Sequence, residues 1–355
     1  MDYIFDDIIR KIPSTRYQGS KRKLLPWIFS KIKDLEFETI LDAFGGSASV
    51  SLLLKRMGKK VTYNDILKFN SIIGDSVIAN PGYILLDSDI DFLLDLSYNN
   101  INGFIYNTFK GIYYTDEENI WLDNVILKIK DLDIFYNGEE LRFKQAIAYN
   151  ALFQSCMIKR PYNLFHRKNL EIRMRQVERN FGNKKTWDTP FEEHFRKFVK
   201  EINNATFDSG VKCSSTNCDV MNINSVYDAV YIDPPYIKKT GTVDYMDYYH
   251  FLEGIVDYES WNDRIDLETR NKKIIPNYQN IYKPCYATET FDNLFSKYKE
   301  SKLIVSYKDN GLPSIDDLIE LIKRYKENVR VYKTEYKYAL NKNNKDGYEY
   351  LIIGE

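Results

Sequence analysis

Residues 39–65, TILDAFGGSASVSLLLKRMGKKVTYND, constrain the architecture more tightly than any other stretch. A short apolar run leads into Gly45-Gly46. A segment with its apolar residues on one side of a helix follows, then a Gly58 stop and a second apolar run closed by an acid. That is a βαβ unit. A connection this short makes the two strands parallel neighbours with a right-handed crossover, which points to an α/β fold. The same rhythm returns at YDAVYIDPP (227–235) and SKLIVSYKDNG (301–311), both short apolar runs ended by polar, Pro or Gly punctuation. SIDDLIELIKRYKEN (314–328) reads as a helix opened by a capping box, Ser314 with Asp317. VRVYKTEYKYALNKNNKDGYEYLIIG (329–354) reads as a terminal hairpin.

The stretch from 74 to about 210 breaks this rhythm. An acidic, Tyr/Asn-rich run leads to LRFKQAIAYNALFQSCMIKR (141–160), whose apolar spacing suits a helix, and then to a basic segment. Two domains are expected: residues 1–74 with 211–355 as the α/β part, and 75–210 as a mainly helical insert. The composition, 44% hydrophobic and 28% charged, is that of an ordinary globular chain. No run approaches eighteen consecutive apolar residues, and the acidic start MDYIFDDIIRK lacks a secretory core, so a cytoplasmic protein without membrane contact is expected. The cysteines and histidines are scattered, and the Cys213–Cys218 spacing fits no zinc pattern, so no metal is expected. The net charge of −1 hides an uneven distribution: twelve acids against three bases in 85–140, five acids against twelve bases in 155–200. A polyanion-binding face leaves that asymmetry, and so does a solvated basic surface.

Gly45 and Gly46, directly behind a strand, let a ligand approach the backbone where a Cβ would obstruct it, and a helix starting at Ser47 offers N–H groups to an anion. Asp65 lies nineteen residues beyond Gly46 at the tip of the next strand, where an acid accepts from ribose hydroxyls. The segment FGGSAS lacks G-x-G-x-x-G spacing. That disfavours NAD and favours a cofactor joining a ribose to a carboxylate, such as S-adenosylmethionine; a tight turn with no ligand is the plain alternative.

Asp233-Pro234-Pro235-Tyr236 ends a buried strand at the edge where α/β sheets gather ligands. A rigid exit from the sheet accounts for the prolines but not for both flanking residues. Chemistry accounts for all four. The exocyclic amine of a nucleobase is a poor nucleophile, because its lone pair is delocalised into the ring. Asp233 and the Pro234 carbonyl can accept hydrogen bonds from such an amine and stabilise the positive charge that grows on nitrogen. The prolines fix those acceptors in place, and Tyr236 offers a face for an extruded base, stacking being worth roughly 1–3 kcal/mol.

The segments RYQGSKRKL (16–24), DAFGGSAS (42–49), YND (63–65), CD (218–219), DPPY (233–236) and LIVSYKDNG (303–311), in this order, resemble those of the amino-methylating DNA methyltransferases of the Dam-like, α-group adenine type. The resemblance implies a mixed seven-stranded methyltransferase sheet with helices on both faces, S-adenosylmethionine as cofactor and double-stranded DNA as partner. It implies that Tyr17, Gly19 and Lys21 line the methionine end of the cofactor, with Phe44, Gly45 and Ser47 near its methionine and sulfonium portion and with Asp42 and Gly46 also cofactor-binding. Asp65 would hold the ribose, Asp219 would accept from the cofactor's adenine amine, and Asp233, Pro234, Pro235 and Tyr236 would be catalytic. Val220 stands where the family often has an aromatic residue, leaving aliphatic packing there. KRPYNLFHRKNLEIRMR (159–175), YHFLEG (249–254) and DNGLPSIDDL (309–318) are similar more narrowly to the adenine methylases that accompany type IIS restriction endonucleases, which modify short asymmetric sites. That likeness implies a separately encoded endonuclease as functional partner and a monomer or weak dimer.

Within 159–175, Lys159, Arg160, Arg167, Lys168, Arg173 and Arg175 alternate with Tyr162, Asn163, Phe165 and Asn169. Arg and Lys suit phosphates or guanine edges and Asn suits adenine edges, so this segment is the expected DNA reader, with Lys238 and Lys239 on the flanking phosphates. His166 and His250 are expected to face solvent or phosphate, since the reaction needs no dedicated base. The expected function is site-specific methylation of adenine N6. Two rivals stand beside it: cytosine-N4 methylation, which uses the same geometry but more often carries serine before Pro-Pro, and a non-catalytic nucleic-acid-binding protein on the same scaffold.

Overall fold

The computed structural model describes residues 11–97, 100–175, 184–239, 241–242, 244–336 and 347–355. The strands among these residues are β1 (Thr39–Asp42), β2 (Lys60–Asn64), β3 (Ser214–Thr216), β4 (Ala229–Ile232), β5 (Ile237–Lys238), β6 (Gly241–Thr242), β7 (Lys302–Lys308), β8 (Val329–Tyr336) and β9 (Gly347–Gly354). Seven of them form one sheet in the order β3-β2-β1-β4-β7-β9-β8, and β5 pairs with β6 in a separate hairpin. Strands β3, β2, β1, β4 and β7 are parallel, and β9 runs antiparallel to both β7 and β8. The mixed seven-stranded sheet and the terminal hairpin expected from sequence are both present; the Asn/Lys/Asp-Gly turn of that hairpin lies outside the described residues, apart from Gly347.

The period-2 alternation of strand side chains divides the core into two layers. Ile40, Tyr231, Ile304 and Ile353 belong to one hydrophobic cluster; Leu41, Val230, Ile232, Leu303, Val305 and Ile352 belong to the other. The second layer is covered by the helices Ala287–Lys297 and Ile315–Lys323, the latter opened by the Ser314–Asp317 capping box. The first is covered by Leu25–Ile32, Ser49–Arg56 and Lys68–Gly74. Among the described residues, 75–210 contains helices and turns but no strand, and most of its buried apolar side chains join the first layer. Helix Gly138–Ile158 begins with Glu139 and Glu140, where acids favour the helix dipole, and is buried on nearly all sides from Asn150 to Ile158. It packs against Phe191–Ala205. No described helix is long and apolar enough to cross a membrane.

The helix after the glycine turn starts at Ser49, two residues later than expected, because Gly46 (φ 48°) and Ala48 (φ 58°) take left-handed backbone. Gly58, at φ 76°, ends that helix as expected.

Candidate active site

The chain passes from β1 to β2 to β3 on one side, then returns to place β4 on the other side of β1. This reversal opens a crevice beyond the carboxyl ends of β1 and β4, the usual ligand position in such sheets. Asp42 ends β1, Asp65 follows β2, Asp219 lies just beyond β3, and Asp233 follows β4. A cavity of about 760 Å³ opens at this edge, within the roughly 300–1,000 Å³ of small-molecule sites. Every cofactor and catalytic candidate from the sequence lines it: Tyr17, Gly19, Lys21, Asp42, Phe44 to Ser47, Asp65, Asp219 and Asp233 to Tyr236.

Tyr63 builds the glycine turn. A Cβ on Gly45 would lie 2.0 Å from its ring, so the missing side chain there makes room for Tyr63 rather than for a ligand. The Tyr63 hydroxyl donates to the Gly46 carbonyl at 2.8 Å. Asp65 fastens the same turn, accepting from the Gly46 N–H and the Leu67 N–H at 2.9 Å each. A carboxylate offers about four acceptor positions, which leaves room for ribose hydroxyls. Asp42 accepts from the Ser51 hydroxyl at 2.5 Å, while its other oxygen is buried without a hydrogen-bond partner among the described residues. Burial pushes its carboxyl up to about 7. An orphaned acceptor on a cavity wall fits a ligand carrying a cation or a hydroxyl. Asp219 accepts from the Met221 N–H, and Phe44 meets the ring of Tyr282 edge-on at 5.6 Å. Tyr282, on a different segment from Val220, lines the same cavity.

The Asp-Pro-Pro-Tyr corner is held by ions. Lys21 donates to Asp233 at 2.8 Å and to the Tyr236 hydroxyl at 2.6 Å. Tyr236 in turn donates to Glu349 of β9, with its two carboxylate oxygens at 3.1 and 3.2 Å. Burial raises the Asp233 carboxyl to about 6, with Lys21 pulling it down and Glu349 pushing it up. Burial also disfavours the Lys21 charge, but Asp233 and Glu349 outweigh it and the ammonium is held above its ordinary value. Lys21, expected at the methionine end of the cofactor, lines the cavity with its ammonium against the Asp-Pro-Pro-Tyr corner.

Residues 17–306 match the D12 class of N6 adenine-specific DNA methyltransferases. The chain belongs to that family. Its cofactor is S-adenosylmethionine and its substrate is DNA, and adenine N6 prevails over the cytosine-N4 rival. It is 28% identical to the type II methyltransferase M2.HphI of Haemophilus parahaemolyticus over 97% of both chains. It is 25% identical to the modification methylase LlaI of Lactococcus lactis subsp. lactis over 94% of its own length and 53% of that protein's. It is 26% identical to the modification methylase StsI of Streptococcus sanguinis, over 95% and 51%. The chain thus spans about half the length of these last two.

The methyltransferase's basic candidates divide into two groups. Arg167, Lys168, Arg175, Lys238 and Lys239 are exposed, and Tyr162, Asn163 and Lys238 line the cavity. Lys159, Arg160 and Arg173 do not reach the surface. Lys159 and Arg173 both pair with Glu118, and Arg160 donates to the carbonyls of Tyr113, Leu164 and Arg167 and to Asn169. Buried charges need partners, and these three have theirs inside the fold, which corrects their expected contact with DNA. The charge asymmetry has the same origin in part, since Glu118 and Asp91 of the acidic stretch pair with Lys159, Arg173 and Arg196 of the basic one. His250, expected to face solvent or phosphate, is fully buried beside the Tyr113 hydroxyl, and burial lowers it to about 3; His166 is half-buried against Tyr248.

Sequence reasoning missed Glu349, Tyr278 and Tyr282. For Glu349 a signal existed: the alternation in GYEYLIIG puts it on the same face of β9 as Leu351 and Ile353, an acid at a core position. The two tyrosines lie on a segment without periodicity, and nothing local marks them.

Proposed function

We propose that this methyltransferase modifies adenine at a short asymmetric DNA site, in the manner of the methylases that accompany type IIS restriction endonucleases, and that a separately encoded endonuclease is its functional partner in the cytoplasm. The names of the relatives, two of them modification methylases, support a role in restriction–modification. The observation that carries the residue roles is that the glycine turn and the Asp-Pro-Pro-Tyr corner share one cavity.

Bound in that cavity, S-adenosylmethionine supplies an electrophilic methyl group. Tyr17, Gly19, Gly46 and Ser47 line its methionine portion, and the orphaned oxygen of Asp42 takes its ammonium. Asp65 holds the ribose, and Asp219 and Tyr282 hold the adenine ring. Lys21 holds one oxygen of Asp233 and Tyr236 stands beside the same carboxylate, whose other oxygen accepts from the amine of a flipped adenine. The carboxylate and the Pro234 carbonyl would draw that nitrogen towards tetrahedral geometry and stabilise its growing positive charge as the methyl passes to it from sulfur, leaving a neutral thioether, and its proton is lost to water. Residues 75–210 read the target, with Arg167, Lys168 and Arg175 against the duplex and Lys238 and Lys239 on the flanking phosphates. Expression in a host without adenine methylation, followed by mapping of modified bases, tests the reading. N6-methyladenine at one asymmetric sequence is expected, and a symmetric site would overturn the sub-family assignment.

A further inference from the structure

We propose that Glu349 is a positioning residue for methyl transfer: its buried carboxylate anchors Lys21 and Tyr236 from behind, so that Asp233 keeps an open, electron-rich oxygen for the adenine amine. The inference rests on the reading of Asp233 as the amine acceptor. Glu349 is 1% exposed in a strand whose inward neighbours are apolar, and a buried anion at such a place is costly unless it has partners. Its partners are the residues that flank the reacting amine. The Tyr236 hydroxyl donates to it, and the Lys21 ammonium lies 4.0 Å away while donating to Asp233 at 2.8 Å. One ammonium therefore stands between two carboxylates, hydrogen-bonded to Asp233 and within ion-pair reach of Glu349.

Around Asp233 the charged and titratable groups are Lys21, Glu349 and Tyr236, with Asp42, Tyr231 and Tyr245 further off. Around Glu349 there are in addition Tyr336 and Lys308, its register partner on β7, whose ammonium sits 5.3 Å from the centre of the Tyr236 ring. Lys308 feels the Glu349 charge from the neighbouring strand, while the hydrogen bonds that link Glu349 to Asp233 run through Lys21 and Tyr236. Without the Glu349 charge, Lys21 is drawn wholly onto Asp233 and the Tyr236 hydroxyl loses its ionic acceptor. Asp233 then becomes easier to ionise but a poorer acceptor.

The test is the pH profile of kcat for wild type, Glu349→Gln and Asp233→Ala, with cofactor affinity measured by calorimetry. Glu349→Gln is expected to lower kcat roughly ten- to a hundredfold, the scale of misplaced reacting groups. It should also move the acid limb to lower pH and leave cofactor affinity within about twofold of wild type. A purely structural role would change stability and leave the limb where it is. Glu349→Asp gives a second reading: the charge is kept, so the limb stays near its wild-type pH, while kcat falls because the carboxylate no longer reaches Tyr236. A wild-type kcat in either variant, or an unmoved limb in Glu349→Gln, overturns the proposal, provided Asp233→Ala is inactive. An active Asp233→Ala would overturn the amine-acceptor reading itself.

Discussion

Lys21 and Asp233, 212 residues apart in the chain, meet at 2.8 Å with both side chains largely withdrawn from solvent. The pair joins the segment before the sheet to the end of β4, so the Asp-Pro-Pro-Tyr corner is completed only when two distant parts of the chain have come together.

The pH dependence of activity follows from that pair. Burial holds the Asp233 carboxyl at about 6, above its ordinary value, so its acceptor form predominates above that pH and is lost as pH falls through it. kcat should therefore drop below pH 6. Lys21→Met removes the nearest cation and should move this limb upward; a rate profile showing a downward shift would be inconsistent with the pairing.

Gly45→Ala should destabilise the fold by about 1–3 kcal/mol, because its Cβ would press into the Tyr63 ring and the core there is closely packed. Thermal denaturation and cofactor titration measure it, with both expected to worsen together, since Tyr63 also holds the Gly46 carbonyl. An unchanged melting temperature would show that Tyr63 moves aside freely.

Glu118 carries two buried cations. Glu118→Ala leaves Lys159 and Arg173 without their acid, and losing one side of a buried pair typically costs about 3–5 kcal/mol. Denaturant unfolding should register a loss on that scale. Stability like that of wild type would mean that these cations find water or other partners.

Arg167→Glu with Lys168→Glu should weaken DNA binding without lowering the melting temperature, since both side chains are exposed. The slope of log K against log salt should flatten by about one for each phosphate that the variant no longer neutralises. Binding with an unaltered slope would remove these residues from the interface.

How much of this was legible in the sequence depended on how local the cause was. The βαβ unit, the Ser314 capping box and the strand that stops just before Asp233 are encoded by neighbours in the chain, and they form as expected. The left-handed Ala48 delays a helix start that glycine placement alone puts at Ser47. Lys159, Arg160 and Arg173 look like a DNA-facing stripe in sequence because burial is a property of the packed insert. Glu118, which neutralises two of them, lies in the distant acidic stretch. Glu349 escaped notice for a similar reason: its partners Lys21 and Tyr236 come from two other parts of the chain.

Methyl transfer from labelled S-adenosylmethionine to unmethylated DNA, with the modified nucleoside identified by mass spectrometry, tests the role of Asp233 most directly. Wild type should yield N6-methyladenine. Asp233→Ala should lose at least about 10²–10³-fold in rate while still binding the cofactor. Methylation by Asp233→Ala at the wild-type rate, or a product carrying the methyl on cytosine N4, would contradict the account.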